Sequence, residues 1–149
     1  MKIQYVYGDA TKPQGAGKKI IAHICNNKGL WGVGFVLAIS RRWKEPEHNY
    51  RKKQRHTLGL VDTISVEDDI LVCNMIAQNG FVSQYNRRAV DYEALGDCLR
   101  KVNRTAIFNQ ATIHIPRIGC GLGGGSWPIV ESLIEQSCTQ QVYVYDLEK

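Results

Sequence analysis

The sequence predicts an α/β domain of three layers, with helices on both faces of a central mixed β-sheet. Strand-like and helix-like segments alternate along the 149 residues, the order that builds parallel strands joined by crossover helices. Residues 19–25 (Lys-Ile-Ile-Ala-His-Ile-Cys) are apolar almost without a break, which marks a central strand covered on both faces. Two further apolar runs, 60–66 and 70–76, bracket Glu67-Asp68-Asp69 and read as a β-hairpin, so the sheet is mixed.

In chain order, residues 3–7 (Ile-Gln-Tyr-Val-Tyr) form the first strand and residues 19–25 the second. A polar, glycine-punctuated loop follows, from Asn26 to Gly34. Phe35, Val36, Ile39 and Trp43 then recur at helical spacing. Pro46 opens a second short helix running to about Lys53. After the hairpin, residues 78–88 are polar and without periodicity. Asp91 caps a helix from Tyr92 to about Val102, with Leu95, Cys98, Leu99 and Val102 on its buried side. A strand at 112–115, a helix at about 128–138 and a last strand at 141–146 complete the chain. No internal repeat, linker or low-complexity tract divides it, so residues 1–149 are expected to form one domain.

Five cysteines (25, 73, 98, 120, 138) are odd in number and scattered, with no Cys-x-x-Cys pair. That pattern fits neither a disulfide framework nor a zinc site, and a cytoplasmic, reducing compartment is expected. The apolar run at residues 3–7 is too short for a signal peptide, and no membrane partner is expected. The net charge of +5 is concentrated in Arg41-Arg42-Trp43-Lys44 and Arg51-Lys52-Lys53-Gln54-Arg55-His56. One reading is a nucleic-acid patch. The plainer one is solvated helix ends, where cations favour the dipole, and it is preferred because no aromatic stacking motif accompanies the charge.

The most informative stretch is Pro116-Arg117-Ile118-Gly119-Cys120-Gly121-Leu122-Gly123-Gly124-Gly125-Ser126, set between a strand and a helix. So many glycines bury no side chains; what they offer is close approach of backbone amides beside a positive helix end, a cradle for phosphate. A Walker A loop is excluded by Gly125 where its lysine belongs. A cysteine phosphatase needs Cys120 as thiolate and an arginine six residues on, where Ser126 stands. A dinucleotide fingerprint fits Gly119, Gly121 and Gly124, with Asp146 about 20 residues on, but a second βαβ half is missing from these 149 residues. A second glycine loop, Gly29-Leu30-Trp31-Gly32-Val33-Gly34-Phe35, also follows a strand and opens a helix. Two such loops facing one crevice suit a diphosphate.

With these residues laid out, the chain resembles a macrodomain, the ADP-ribose-binding fold, over essentially its whole length. The resemblance rests on Tyr7-Gly8-Asp9-Ala10-Thr11, on Ala22-His23-Ile24-Cys25-Asn26 with Trp31-Gly32-Val33-Gly34-Phe35, on Ile115-Pro116-Arg117-Ile118-Gly119-Cys120-Gly121-Leu122-Gly123-Gly124, and on Val142-Tyr143-Val144-Tyr145-Asp146. The Gly-Asp-x-Thr element and the Pro-Arg-Ile-Gly-x-Gly-Leu loop are its most specific parts. The latter is similar to the branch of ADP-ribose-1″-phosphate phosphatases and terminal ADP-ribose glutamate hydrolases.

The resemblance implies that Asp9 and the Ala10 backbone meet the adenine, with Tyr145 flanking it. It places Gly32, Val33, Gly34, Phe35, Gly119, Cys120, Gly121, Leu122, Gly123 and Gly124 around the diphosphate and distal ribose. His23 and Asn26 are the implied catalytic pair, His23 as acid/base or water-orienting group and Asn26 on the ribose hydroxyls. Read from the residues alone, His23 is a buried core histidine, Asp9 and Asn26 are turn residues and Tyr145 is a strand tyrosine. The lysine and aspartate of the glutamate hydrolases are absent, with Ala77-Gln78 and Gly123 near their places. Gly123-Gly124-Gly125 is expected to leave room for a substituent, and residues 81–88 to lid the crevice; Arg87 and Arg88 are read as solvated loop arginines, with contact to a phosphate as the alternative. The implied function is binding of ADP-ribose or a derivative and hydrolysis of a group on its distal ribose. Removal of phosphate, of an acetyl group or of a protein-linked ester stand as candidates, and an ADP-ribosylated protein is an allowed partner. A binder without turnover is the alternative. No metal or cofactor is expected.

Overall fold

A computed structural model describes residues 3–147 of the protein. Six strands form one sheet: β1 (Ile3–Tyr7), β2 (Lys19–Asn26), β3 (Val61–Glu67), β4 (Ile70–Gln78), β5 (Thr112–Ile115) and β6 (Val142–Asp146), in the order β1-β6-β5-β2-β4-β3. β3 runs antiparallel to β4, and the other neighbours are parallel. The expected hairpin and mixed sheet are present. α1 (Phe35–Arg42) and α2 (Glu45–Lys52) pack on one face, α3 (Tyr92–Asn109) and α4 (Trp127–Ser137) on the other.

β2 shows why the sheet is buried on both sides. Its successive side chains point to opposite faces: Ile20 and Ala22 join the core beneath α3 and α4, while Ile21 and Cys25 join the core beneath α1 and α2. The chain leaves β2 towards α1 on one face and leaves its neighbour β5 towards α4 on the other. Adjacent parallel strands whose connections diverge in this way open a crevice at their carboxyl ends. The two glycine loops lie there.

α3 is longer than its apolar spacing predicts, ending at Asn109 rather than near Val102. The buried stripe continues through Asn103, which hides a polar side chain in the core. Its Oδ1 accepts from the amides of Thr139 and Gln140, and its Nδ2 donates to Thr139 Oγ1. Gln110, at φ 52°, ends the helix.

The basic clusters are helix-end charges. Arg41 and Arg42 occupy the last turn of α1, Arg51 and Lys52 that of α2. Arg42 donates to Thr11 O and pairs with Glu67, and Arg51 pairs with Glu47. Among the described residues, no helix is long and apolar enough to cross a membrane.

Candidate functional site

The loop after β2 and the loop after β5 meet across one crevice. Its first chamber, about 270 Å³, is bordered by His23, Gly34 and Phe35 on one side and by Arg117, Gly119 and Gly121 on the other. A second chamber of about 600 Å³ adjoins it, reaching Asn26, Trp31, Gly32, Phe81 and Val82. Ile24, Val33, Val36, Gln78 and Leu122 border both. The loops touch: a Cβ at Gly34 would lie 3.0 Å from Leu122 Cδ1.

Both loops present unpaired donors. Among the described residues, the amides of Gly32, Val33, Gly34 and Phe35 donate to no protein acceptor, nor do those of Gly121, Leu122 and Gly123. No side chain caps α1, and no acidic residue stands in its first turn. Such amides together with a helix N-terminus attract an anion. Side-chain charge adds little. Arg117 is spent on a two-pronged pair with Asp146 (2.8 Å each) and lies over the Tyr5 and Trp127 rings. Arg51 is spent on Glu47 and Trp31 O.

The glycines divide by cause. A Cβ at Gly123 or Gly125 would meet Gly119 O at 2.8 and 2.6 Å, and one at Gly124 would meet Arg87 O at 2.7 Å. The amides of Ala89 and Val90 donate to Gly123 O. The triple glycine therefore packs backbone on backbone, Gly123 and Gly125 against Gly119 and Gly124 against Arg87, which corrects the expectation that it makes room for a substituent. Gly32 and Gly121 differ: a Cβ at either would meet nothing within 4 Å, and neither has a positive φ. Neither packing nor backbone conformation requires glycine there.

His23 is 1 % exposed and borders the first chamber. Its Nε2 lies 2.6 Å from Asn74 Oδ1, and its Nδ1 is buried with no hydrogen-bond partner. Leaving such a polar atom unpaired costs about 1–3 kcal/mol. Burial pushes its pKa down to about 4, so the ring is neutral near pH 7. Trp31 and Phe35 pack on it, at ring centroid distances of 5.5 and 5.8 Å. Cys120 is no thiolate: burial raises its pKa, and its Sγ faces Ile118 O at 3.4 Å.

Asn26 borders the second chamber, but its side chain shapes the turn. Oδ1 accepts from Lys28 N, Leu30 N and Tyr50 OH, and Nδ2 donates to Leu30 O, engaging one of two N–H bonds. Asp9 Oδ1 accepts from Thr11 N and Thr11 Oγ1, leaving Oδ2 without a partner among the described residues. Ala10 is buried behind it. Both lie beyond the carboxyl end of β1, where Gly8 N donates to Asp146 O.

Tyr145 requires a correction. It is 3 % exposed, and its hydroxyl accepts from Gln14 N and bonds His114 Nδ1. It fastens the loop after β1 to the sheet and offers no face to a base. Arg88 sets its guanidinium over the Tyr92 ring. Phe81 and Val82 of the same segment do border the second chamber. Sequence reasoning missed Asn74, and named Gln78 and Arg51 without placing them at the crevice. The signal for Asn74 was a lone amide inside an apolar strand.

No protein-family model matches the chain. A solved structure from Bacteroides thetaiotaomicron, described as a protein of unknown function, is 44 % identical, with a TM-score of 0.94 and 99 % of each chain covered. The macrodomain protein of Streptomyces coelicolor is also 44 % identical, with a TM-score of 0.84, 97 % of this chain covered and 99 % of that one. Among curated proteins, the ADP-ribose 1″-phosphate phosphatase of Candida albicans is 28 % identical over 96 % of this chain and 98 % of its own. The chromodomain-helicase-DNA-binding protein 1-like of Danio rerio is 31 % identical over 90 % of this chain, which spans 14 % of that protein's length. Likeness of this extent to the Streptomyces protein, over both whole chains, shows that the chain belongs to the macrodomain family.

Proposed function

We propose that the crevice binds ADP-ribose, with the diphosphate between the two amide runs, and that the protein hydrolyses a substituent of the distal ribose. Phosphate is the leading substituent. The observation that carries the reading is the pair Gly32 and Gly121, one in each loop, which border the two chambers of the crevice where neither packing nor φ asks for glycine. The likeness to a curated ADP-ribose 1″-phosphate phosphatase over nearly the full length of both chains supports it. In this reading Asp9 Oδ2 accepts from the adenine amino group and Asn26 directs its second amide N–H to the ribose. His23 faces the reacting end.

The domain spans residues 1–149. Among the described residues the five cysteines are unpaired, which supports a reducing, cytoplasmic setting. The exposed apolar rim of Leu30, Val33 and Leu122 supports an ADP-ribosylated protein as a second class of partner.

Calorimetric titration with ADP-ribose, AMP and NAD, run beside a phosphate-release assay on ADP-ribose 1″-phosphate, tests this. ADP-ribose is expected to bind more tightly than AMP or NAD, with release of phosphate. Binding without release leaves a non-catalytic ADP-ribose module, and preference for NAD overturns the reading.

A further inference from the structure

We infer that Asn74 is a positioning residue that holds His23 in one tautomer, hydrogen on Nε2 and lone pair on Nδ1, so that the imidazole meets an occupant of the crevice only as an acceptor. His23 and Asn74 are register partners on adjacent parallel strands, β2 and β4. Asn74 Nδ2 donates to Pro46 O at 3.1 Å. A carbonyl only accepts, so the NH₂ of Asn74 must face Pro46 and its oxygen must face the ring. An amide oxygen 2.6 Å from Nε2 requires the hydrogen on that nitrogen. α2, which carries Pro46, thus orients Asn74, and Asn74 orients His23. With Nε2 committed, Nδ1 is the ring's one free acceptor, buried without a partner on a side chain that borders the first chamber.

The consequence concerns the ligand and rests on the proposed ADP-ribose reading. An ionised phosphate oxygen brings a lone pair against the lone pair of Nδ1, whereas a hydroxyl or a water donates to it. A group that bonds Nδ1 is therefore a ribose hydroxyl or a water, not an ionised phosphate oxygen. Burial keeps the ring uncharged, in agreement. The side chains packed on it from the first loop, α1 and β4 (Trp31, Phe35 and Asn74) carry no charge. Arg117, across the first chamber, is paired with Asp146.

Long-range proton–nitrogen NMR of the free protein, labelled at histidine nitrogen, reads the tautomer directly, with His23→Gln identifying the signals. The Nε2–H form at neutral pH is expected; the Nδ1–H form or a doubly protonated ring overturns the inference. Asn74→Asp should raise the titration midpoint of His23 by about 1–3 units by giving the ring a carboxylate partner, and an unchanged midpoint counts against the pairing. Should that variant fail to fold, the wild-type spectrum decides alone. ADP-ribose should move the Nδ1 signal while the Nε2 hydrogen stays; binding that leaves Nδ1 unmoved overturns the hydroxyl contact. If calorimetry shows no binding at all, the functional reading falls, and the tautomer found in the free protein still stands or falls by its own spectrum.

Discussion

Two glycines that look alike in sequence do different work, and substitution separates them. Gly121→Val or Gly32→Val places its side chain in open space on a residue that borders the crevice, so the fold should hold while ADP-ribose affinity drops tenfold or more, on the order of 1.4 kcal/mol. Gly124→Ala instead forces a Cβ against Arg87 O at a φ of +71° and should cost about 1–3 kcal/mol of stability. Thermal melts beside calorimetry check both. Equal melting losses at Gly121 and Gly124 would show that both serve packing. His23 illustrates what a sequence leaves open at this scale. Its place in an apolar strand is legible, but its unpaired Nδ1 depends on Asn74, 51 positions away along the chain.

At the scale of elements, the strands, the hairpin and both glycine loops were legible because periodicity and glycine clustering are local signals. The end of α3 was not, since Asn103 spends its polar groups on the turn before β6 and so hides a core position behind a polar name. Tyr145 was misjudged for a related reason: which side of the loop after β1 its hydroxyl meets depends on Gln14 and His114. The first glycine loop is held from α1 and α2 by a chain of bonds. Trp31 Nε1 donates to Ser40 Oγ, Ser40 Oγ donates to Glu47 Oε1, and Arg51 joins Glu47 Oε2 to Trp31 O. The Arg51 bond, and then the Ser40 bond, hold the Glu47 carboxyl below its ordinary value of 4.5. A lowered folded value stabilises fully above the ordinary one and is lost as pH falls through the folded value. Glu47→Gln should therefore melt below wild type at neutral pH, and the gap should close under acid conditions. A gap that stays constant down the pH series would mean that Glu47 charge plays no part.

For the molecule as a whole, the account turns on one ligand spanning two loops that belong to opposite layers. A ligand that binds only the folded chain stabilises it by about 2.7 kcal/mol at a hundred times its dissociation constant. For a chain of this length that corresponds to a rise in Tm of about 5–11 °C. ADP-ribose should give such a rise, and inorganic phosphate at the same concentration should give far less, because a lone anion makes none of the adenine and ribose contacts. Equal shifts from the two would point to a simple anion site. The most direct measurement is amide hydrogen exchange with and without ADP-ribose, followed at the unpaired donors of both loops. Slowed exchange at residues 32–35 and 121–123 together is the predicted result. Protection of one loop while the other exchanges as in the free protein would contradict the shared diphosphate site.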